Sequence, residues 1–215
     1  GILPESEILS LVEKLQQEGA LVNWKNNPDG TRSPYEINVT YLDALSLRDS
    51  SDDERIARFI LAHAVLLSFP GVPAVYIQSI LGSRNDYEGV ERLGYNRAIN
   101  RKKYTAGQVD RELNNKKSIR YQIYSRLSEL IAVRRGERAF HPDSQAIFDA
   151  IGEHILKIVR VAENGERMTA LFNFSNKMQT VYGQTLFGRE LLSGQDISGT
   201  ELTLNPWQVM WIKEN

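Results

Sequence analysis

No cysteine occurs among the 215 residues. That removes disulfides, thiolate nucleophiles and Cys-ligated zinc together, and makes a reducing compartment, the cytoplasm, the expected location. Histidine is scarce too, at three residues. His63 falls within an apolar helical stripe, His141 precedes a proline and His154 opens a strand pattern, so none is expected to hold a metal. Net charge is nearly absent: 26 basic residues against 27 acidic leave −1, which gives no broad field for nucleic acid or an anionic membrane. No apolar run approaches the ~20 residues of a membrane span. The start "GILPESEILS" has neither the basic nor the apolar region of a signal peptide, so the sequons at Asn38 and Asn173 are expected to carry no glycan.

What is present is a globular composition, 41% hydrophobic and 25% charged, able to bury a core. Ile8, Leu11, Val12 and Leu15 repeat at helical spacing between Pro4 and Gly19. Val22 to Trp24, the turn residues Asn27-Pro28-Asp29-Gly30, and Tyr35 to Tyr41 read as a loose hairpin or long loop. Ser51 with Glu54 makes a capping box ahead of a second helix, whose stripe is Ile56, Phe59, Ile60, His63, Ala64 and Leu67. Val72 to Ile77 is a short apolar run bounded by breakers, which predicts a strand buried on both faces. Residues 82–107 show no periodicity and read as a long functional loop. Ile119, Ile123, Leu127, Leu130 and Ile131 predict a third helix ending at Arg134-Arg135-Gly136. After Pro142 the period changes to two, through "HILKIVRVAE", "ERMTALFNF", "MQTVY", "ELTL" and "WQVMWI", which predicts a small antiparallel β-domain. One or two α/β units cannot close a parallel sheet, so the first 140 or so residues are expected to end a larger α/β domain.

Glycoside chemistry needs two carboxyl groups across the scissile bond. The loop candidates are Glu36, Asp43 and Asp86, but loop carboxylates are more commonly turn formers or solvated charges. The run Arg101-Lys102-Lys103-Tyr104 reads as a solvated face. Arg97 stands in an Asn- and Gly-rich loop after the expected buried strand, where binding loops of parallel α/β folds emerge; spacing alone leaves binding and a structural ion pair equally open. Trp207 and Trp211, four apart, would share one strand face, either as core or as the sugar platform of a carbohydrate-binding module.

The stretches "RSPYEINVTYLDAL", "FPGVPAVYIQSILGSRND" and "GYNRAINRKKY" resemble the sucrose phosphorylase subfamily of the α-amylase superfamily of glycoside hydrolases, over essentially the whole chain. The resemblance implies an α/β fold: the C-terminal end of a (β/α)8 barrel with an inserted subdomain, followed by a small antiparallel β-domain. Residues 1–50 would be the inserted subdomain with the acceptor-site loop, 51–142 the closing α/β units, with Val72 to Ile77 as the eighth strand, and 143–215 the β-domain.

It further implies that the catalytic carboxylates precede residue 1, so that no catalytic residue lies within the chain and the chain alone is inactive. The N-terminal part of the same barrel would be its partner, with a small-molecule glucoside, glycerate and inorganic phosphate as ligands, and no cofactor, nucleic acid or membrane. By resemblance Arg97 holds the glucosyl unit, and Arg32, Tyr35, Glu36 and Asn38 form the acceptor or phosphate loop. Glu36 replaces a glutamine of sucrose phosphorylases, and Arg32 adds a cation that could bind a carboxylate bidentately. The implied reaction is retaining phosphorolysis of a glucoside of D-glycerate to α-glucose 1-phosphate. The alternatives are sucrose phosphorylase or a related α-glucosidase, and a non-catalytic carbohydrate-binding module.

Overall fold

The computed structural model describes residues 2–215, apart from the side chains of 184–186; Gly1, the expected first residue of the inserted subdomain, lies outside the described residues. The chain divides into two compact units, Gly1–Ile56 with Val75–Tyr124, and Ala57–Ala74 with Ser125–Asn215.

The first unit opens with helix α1 (Glu5–Gln17), with Glu5 and Glu7 in its first turn against the positive end of the helix dipole. Only Val12 is buried on it, while Ile8 and Leu11 stay 38% and 47% exposed. The chain leaves the helix through Gly19 at φ +103, where the Tyr87 hydroxyl donates to the Gly19 carbonyl at 2.9 Å and fills the space a Cβ would need. An antiparallel hairpin follows, β1 (Leu21–Asn26) and β2 (Arg32–Asn38). Between Asn23↔Glu36 and Trp24↔Pro34 the register slips by one residue, so Tyr35 bulges out of the ladder beside Pro34, which has no N–H to contribute.

Residues 82–107, expected to be irregular, contain helix α5 (Tyr87–Leu93), a 3-10 helix (Asn96–Asn100) and the start of α6 (Ala106–Leu113). Asp86 caps α5 by accepting from Gly89 N at 3.2 Å, and Thr105 and Gln108 form a capping box on α6. Each is too short to be stable alone, so caps and tertiary contacts hold it. The shorter α2 (Tyr41–Ala44) and α4 (Ile77–Ile80), and the first residues of α3 (Asp52–Ser68) and α7 (Ile119–Gly136), complete this unit.

The expected buried strand at Val72 to Ile77 is not found. Residues 73–76 have no assigned secondary structure, Ile77 begins α4, and Val72 and Ile77 are 84% and 56% exposed. Every strand pair among the described residues is antiparallel. A parallel strand exists only through its ladder with neighbours, and no such neighbour is described beside this run.

The second unit holds the remaining parts of α3 and α7 and a six-stranded antiparallel sheet in the order β3-β4-β5-β8-β6-β7. The strands are β3 (Gln145–Ile151), β4 (Ile155–Val161), β5 (Arg167–Asn173), β6 (Gln179–Glu190), β7 (Asp196–Leu204) and β8 (Val209–Glu214). β5, flanked on both sides, is buried over six of its seven residues, whereas the edge strand β3 is mostly exposed. Ile155, Leu171, Val181, Leu204, Met210 and Ile212 form one apolar cluster on the sheet. Phe59, Ala64 and Leu67 of α3 and Leu127 and Leu130 of α7 are buried, as their helical spacing predicts. Trp211 is fully buried, 4.8 Å from the Phe140 ring, and donates through Nε1 to Ser68 Oγ at 3.0 Å. It therefore cannot form a sugar platform. Trp207 does not share its strand: it lies before β8 with φ +56, under the guanidinium of Arg58 at 4.7 Å.

Candidate functional site

Two expected site residues, 61 positions apart, meet in the first unit. Glu36 on β2 accepts from Arg97 Nε through both oxygens, at 2.9 Å and 2.8 Å. The two residues are partly exposed, so the pair adds little to stability; its effect is to orient the arginine. The hydrogen bond from Arg97 holds the Glu36 carboxyl below the usual carboxylate range, and Glu36 in turn raises the guanidinium pKa. The pair is made by Nε, which leaves both Nη groups, with their four N–H donors, outside it.

Asn23 and Asn96 were missed in the sequence. Asn23 Nδ2 donates to Glu36 Oε2 at 3.0 Å, and Asn23 Oδ1 accepts from Asn96 Nδ2 at 2.7 Å. Asn23, Gly94, Tyr95, Asn96, Arg97 and Arg101 line a cleft of about 630 Å³. The signal for Asn23 was its place opposite Glu36 in the hairpin register, which could be worked out only once the bulge at Tyr35 was known. A larger cleft of about 860 Å³ in the second unit, lined by residues including Arg138, His141, Asp143 and Glu163, contains none of the expected site residues.

The other expected residues differ in placement. Arg32 is exposed, and Tyr35 is 66% exposed at the bulge, an orientation that leaves its ring accessible. Asn38 is 2% exposed, and its Nδ2 has no partner among the described residues. Asp43 is held between Arg55, at 3.4 Å, and Arg84, and also accepts from Asn85 N at 2.7 Å. With Asp86 serving as a helix cap, the loop carboxylates weighed for catalysis all have structural partners. His63 is buried in α3, its Nδ1 2.9 Å from the Phe59 carbonyl, and burial pushes its pKa down. Arg101, Lys102, Lys103 and Tyr104 lie along a cleft of about 740 Å³ with Tyr76 and Gln78.

By its structural neighbours the chain has an α/β fold of the (β/α)8 class, matched over the C-terminal end of that class and followed by a small antiparallel β-domain. A solved structure with this fold, sucrose 6F-phosphate phosphorylase from Thermoanaerobacter thermosaccharolyticum, superposes with a TM-score of 0.68 at 20% identity, covering 95% of this chain and 37% of that one. In sequence the chain resembles the sucrose phosphorylase subfamily of the α-amylase superfamily, over the C-terminal part only. It is 65% identical over 213 residues to glucosylglycerate phosphorylase of Escherichia coli (strain K12), covering 99% of this chain and 38% of that protein. Glucosylglycerate phosphorylase of Allomeiothermus silvanus is 37% identical, covering 99% of this chain and 37% of that protein. The chain thus spans about two fifths of the length of the curated relatives it matches. No family model matches it.

Proposed function

We propose that the chain is the C-terminal portion of a retaining glucoside phosphorylase that converts glucosylglycerate and phosphate to α-glucose 1-phosphate and D-glycerate. The observation that carries this reading is the Arg97–Glu36 pair at the polar cleft, with Arg97 held by Nε and its Nη groups left for sugar hydroxyls. In the full enzyme a carboxylate outside this chain attacks the anomeric carbon as a second carboxyl group protonates the departing glycerate. Phosphate then displaces the enzyme carboxylate, and the anomeric configuration is retained. Arg97 binds glucosyl hydroxyls, the exposed Arg32 takes the glycerate carboxylate, and the ring of Tyr35 covers apolar carbons. The structural engagement of Glu36, Asp43 and Asp86 supports catalytic carboxylates lying elsewhere.

Within this reading, residues 1–50 are the inserted subdomain, 51–142 the closing barrel units and 143–215 the β-domain. The N-terminal part of the barrel covers apolar groups that are exposed here, Leu11 at 47%, Val72 at 84% and Ile77 at 56%. The chain alone is inactive. We place the enzyme in the cytoplasm, where its ionised sugar-phosphate product is retained by membranes.

The test is glucose 1-phosphate release by the full-length protein from glucosylglycerate and from sucrose, each with phosphate. Higher kcat/KM for glucosylglycerate is expected, and a preference for sucrose refutes the acceptor assignment. Release by the purified 215-residue chain would show that the catalytic carboxylates lie within it. The carbohydrate-binding alternative loses its expected platform to the burial of Trp211.

A further inference from the structure

The pair between Glu36 and Arg97 is itself held by a third residue that belongs to neither of their elements. Asn23 lies on β1 directly opposite Glu36 in the hairpin register. Its amide is used at both ends: Nδ2 donates to Glu36 Oε2 at 3.0 Å, and Oδ1 accepts from Asn96 Nδ2 at 2.7 Å. Asn96 and Arg97 are consecutive in the 3-10 helix. Asn23 therefore ties the strand that carries the carboxylate to the helix that carries the guanidinium. A carboxylate on a flexible side chain can meet an arginine in many geometries; a second donor on one of its oxygens removes most of them. The bulge at Tyr35, immediately before Glu36, fixes the register that makes the contact possible.

We propose that Asn23 is a positioning residue for Arg97, acting through Glu36 and Asn96, so that the guanidinium is presented to the glucosyl unit in one orientation. This rests on the proposed role of Arg97 in binding the glucosyl unit. The residue touches no reacting atom, and its effect is expected on the donor side of the reaction, irrespective of acceptor.

The experiment uses the full-length protein and four forms of it: wild type, Asn23→Ala, Arg97→Ala and the double variant. Asn23→Ala should lower kcat/KM about tenfold, the scale of one hydrogen bond to a charged group, by the same factor for glycerate and fructose as acceptors from glucose 1-phosphate. In the Arg97→Ala background the same change should do nothing further. Independent of activity, NMR on arginine-labelled protein should show hydrogen exchange at Arg97 Nε–H several-fold faster in Asn23→Ala. Asn96→Ala, which leaves the hairpin untouched, should move both readouts in the same direction by a smaller factor and serves if Asn23→Ala does not fold. Unchanged exchange with wild-type kcat/KM, or losses that multiply in the double variant, overturns the proposal. If Arg97→Ala keeps full activity while Asn23→Ala still speeds the exchange, Asn23 positions Arg97 but the donor-site reading of Arg97 is wrong.

Discussion

Replacing Arg160 by methionine sets two large effects against each other, and the structure decides the sign. Arg160 on β4 is fully buried in the second unit. Its Nη1 donates to Ser68 O at 2.9 Å, Nη2 to His141 O at 2.8 Å and Ser144 O at 3.2 Å, and Nε to Gln145 O at 3.2 Å. Its partners among the described residues are all backbone carbonyls, and both burial and the neighbouring Arg134 charge press its pKa down. Removing the cation recovers a desolvation cost of several kcal/mol. It also strips four carbonyls, of which those of Ser68, at the end of α3, and Ser144 sit in buried hydrogen bonds, and an unpaired buried acceptor costs roughly 1–3 kcal/mol. Methionine leaves no donor behind; water can take its place at the carbonyls of the exposed His141 and Gln145, but not at those of the buried Ser68 and Ser144. The sum favours a net loss of about 3–5 kcal/mol, the scale of two charge-assisted hydrogen bonds lost at the buried Ser68 and Ser144 carbonyls. At a urea slope of roughly 2 kcal/mol per M the midpoint should fall by about 2 M. Urea titration of the full-length protein, following the fluorescence of the buried Trp211, measures it. Arg160→Lys should recover little, because three donors on a point charge cannot span four carbonyls. A neutral or stabilising Arg160→Met would mean that guanidinium desolvation outweighs the carbonyl network and would refute the reasoning.

In the proposed full-length phosphorylase, Arg97→Ala should lower kcat/KM by about 10²–10³-fold, the scale of losing a positioned donor, equally for every acceptor and in both reaction directions; a defect confined to one acceptor, or one that tracks a fall in Tm, returns Arg97 to a structural ion pair. Arg32→Leu should raise KM for glycerate while leaving fructose nearly unaffected, and steady-state synthesis from glucose 1-phosphate reads the difference. Because burial lowers the folded-state pKa of His63, folding favours the neutral ring: the unfolded chain takes up the proton first, so stability is complete above the ordinary value of 6.5 and declines as pH falls below it. His63→Leu should flatten that part of a Tm–pH profile, and an unchanged slope would show that another group sets it.

Much of the fold was legible because it is carried by period. Stripes at 3.6 residues gave α1, α3 and α7, and alternation gave the antiparallel strands after Pro142. The capping box at Thr105 and Gln108 was equally readable but lies in a stretch without periodicity, where polarity alone suggested a loop. Val72 to Ile77 failed for a different reason. An apolar run reports that a segment would be buried, but not whether the neighbours that make it a strand are in the chain. For α1, spacing identified an apolar face correctly, while nothing in the spacing fixed how much of it the described residues cover.

The site was half legible for a related reason. Resemblance assigned Glu36 to an acceptor loop and Arg97 to a donor loop as separate roles, and only folding brings their side chains into contact. Asn23 and Asn96 are 73 residues apart, and the place of Asn23 opposite Glu36 shows only once the hairpin register is fixed. The contact changes what Glu36 can do. In the proposed phosphorylase a free carboxylate beside the acceptor pocket would repel an anionic acceptor such as glycerate; paired with Arg97 its charge is offset, which would leave the exposed Arg32 to attract the acceptor carboxylate. Glutamine at position 36 would keep a hydrogen-bond acceptor for Arg97 but surrender the ionic pairing. A change there should therefore reach the donor arginine as well as the acceptor, and the two effects separate by comparing acceptors of different charge: the donor part is common to all of them, and only the remainder measures specificity.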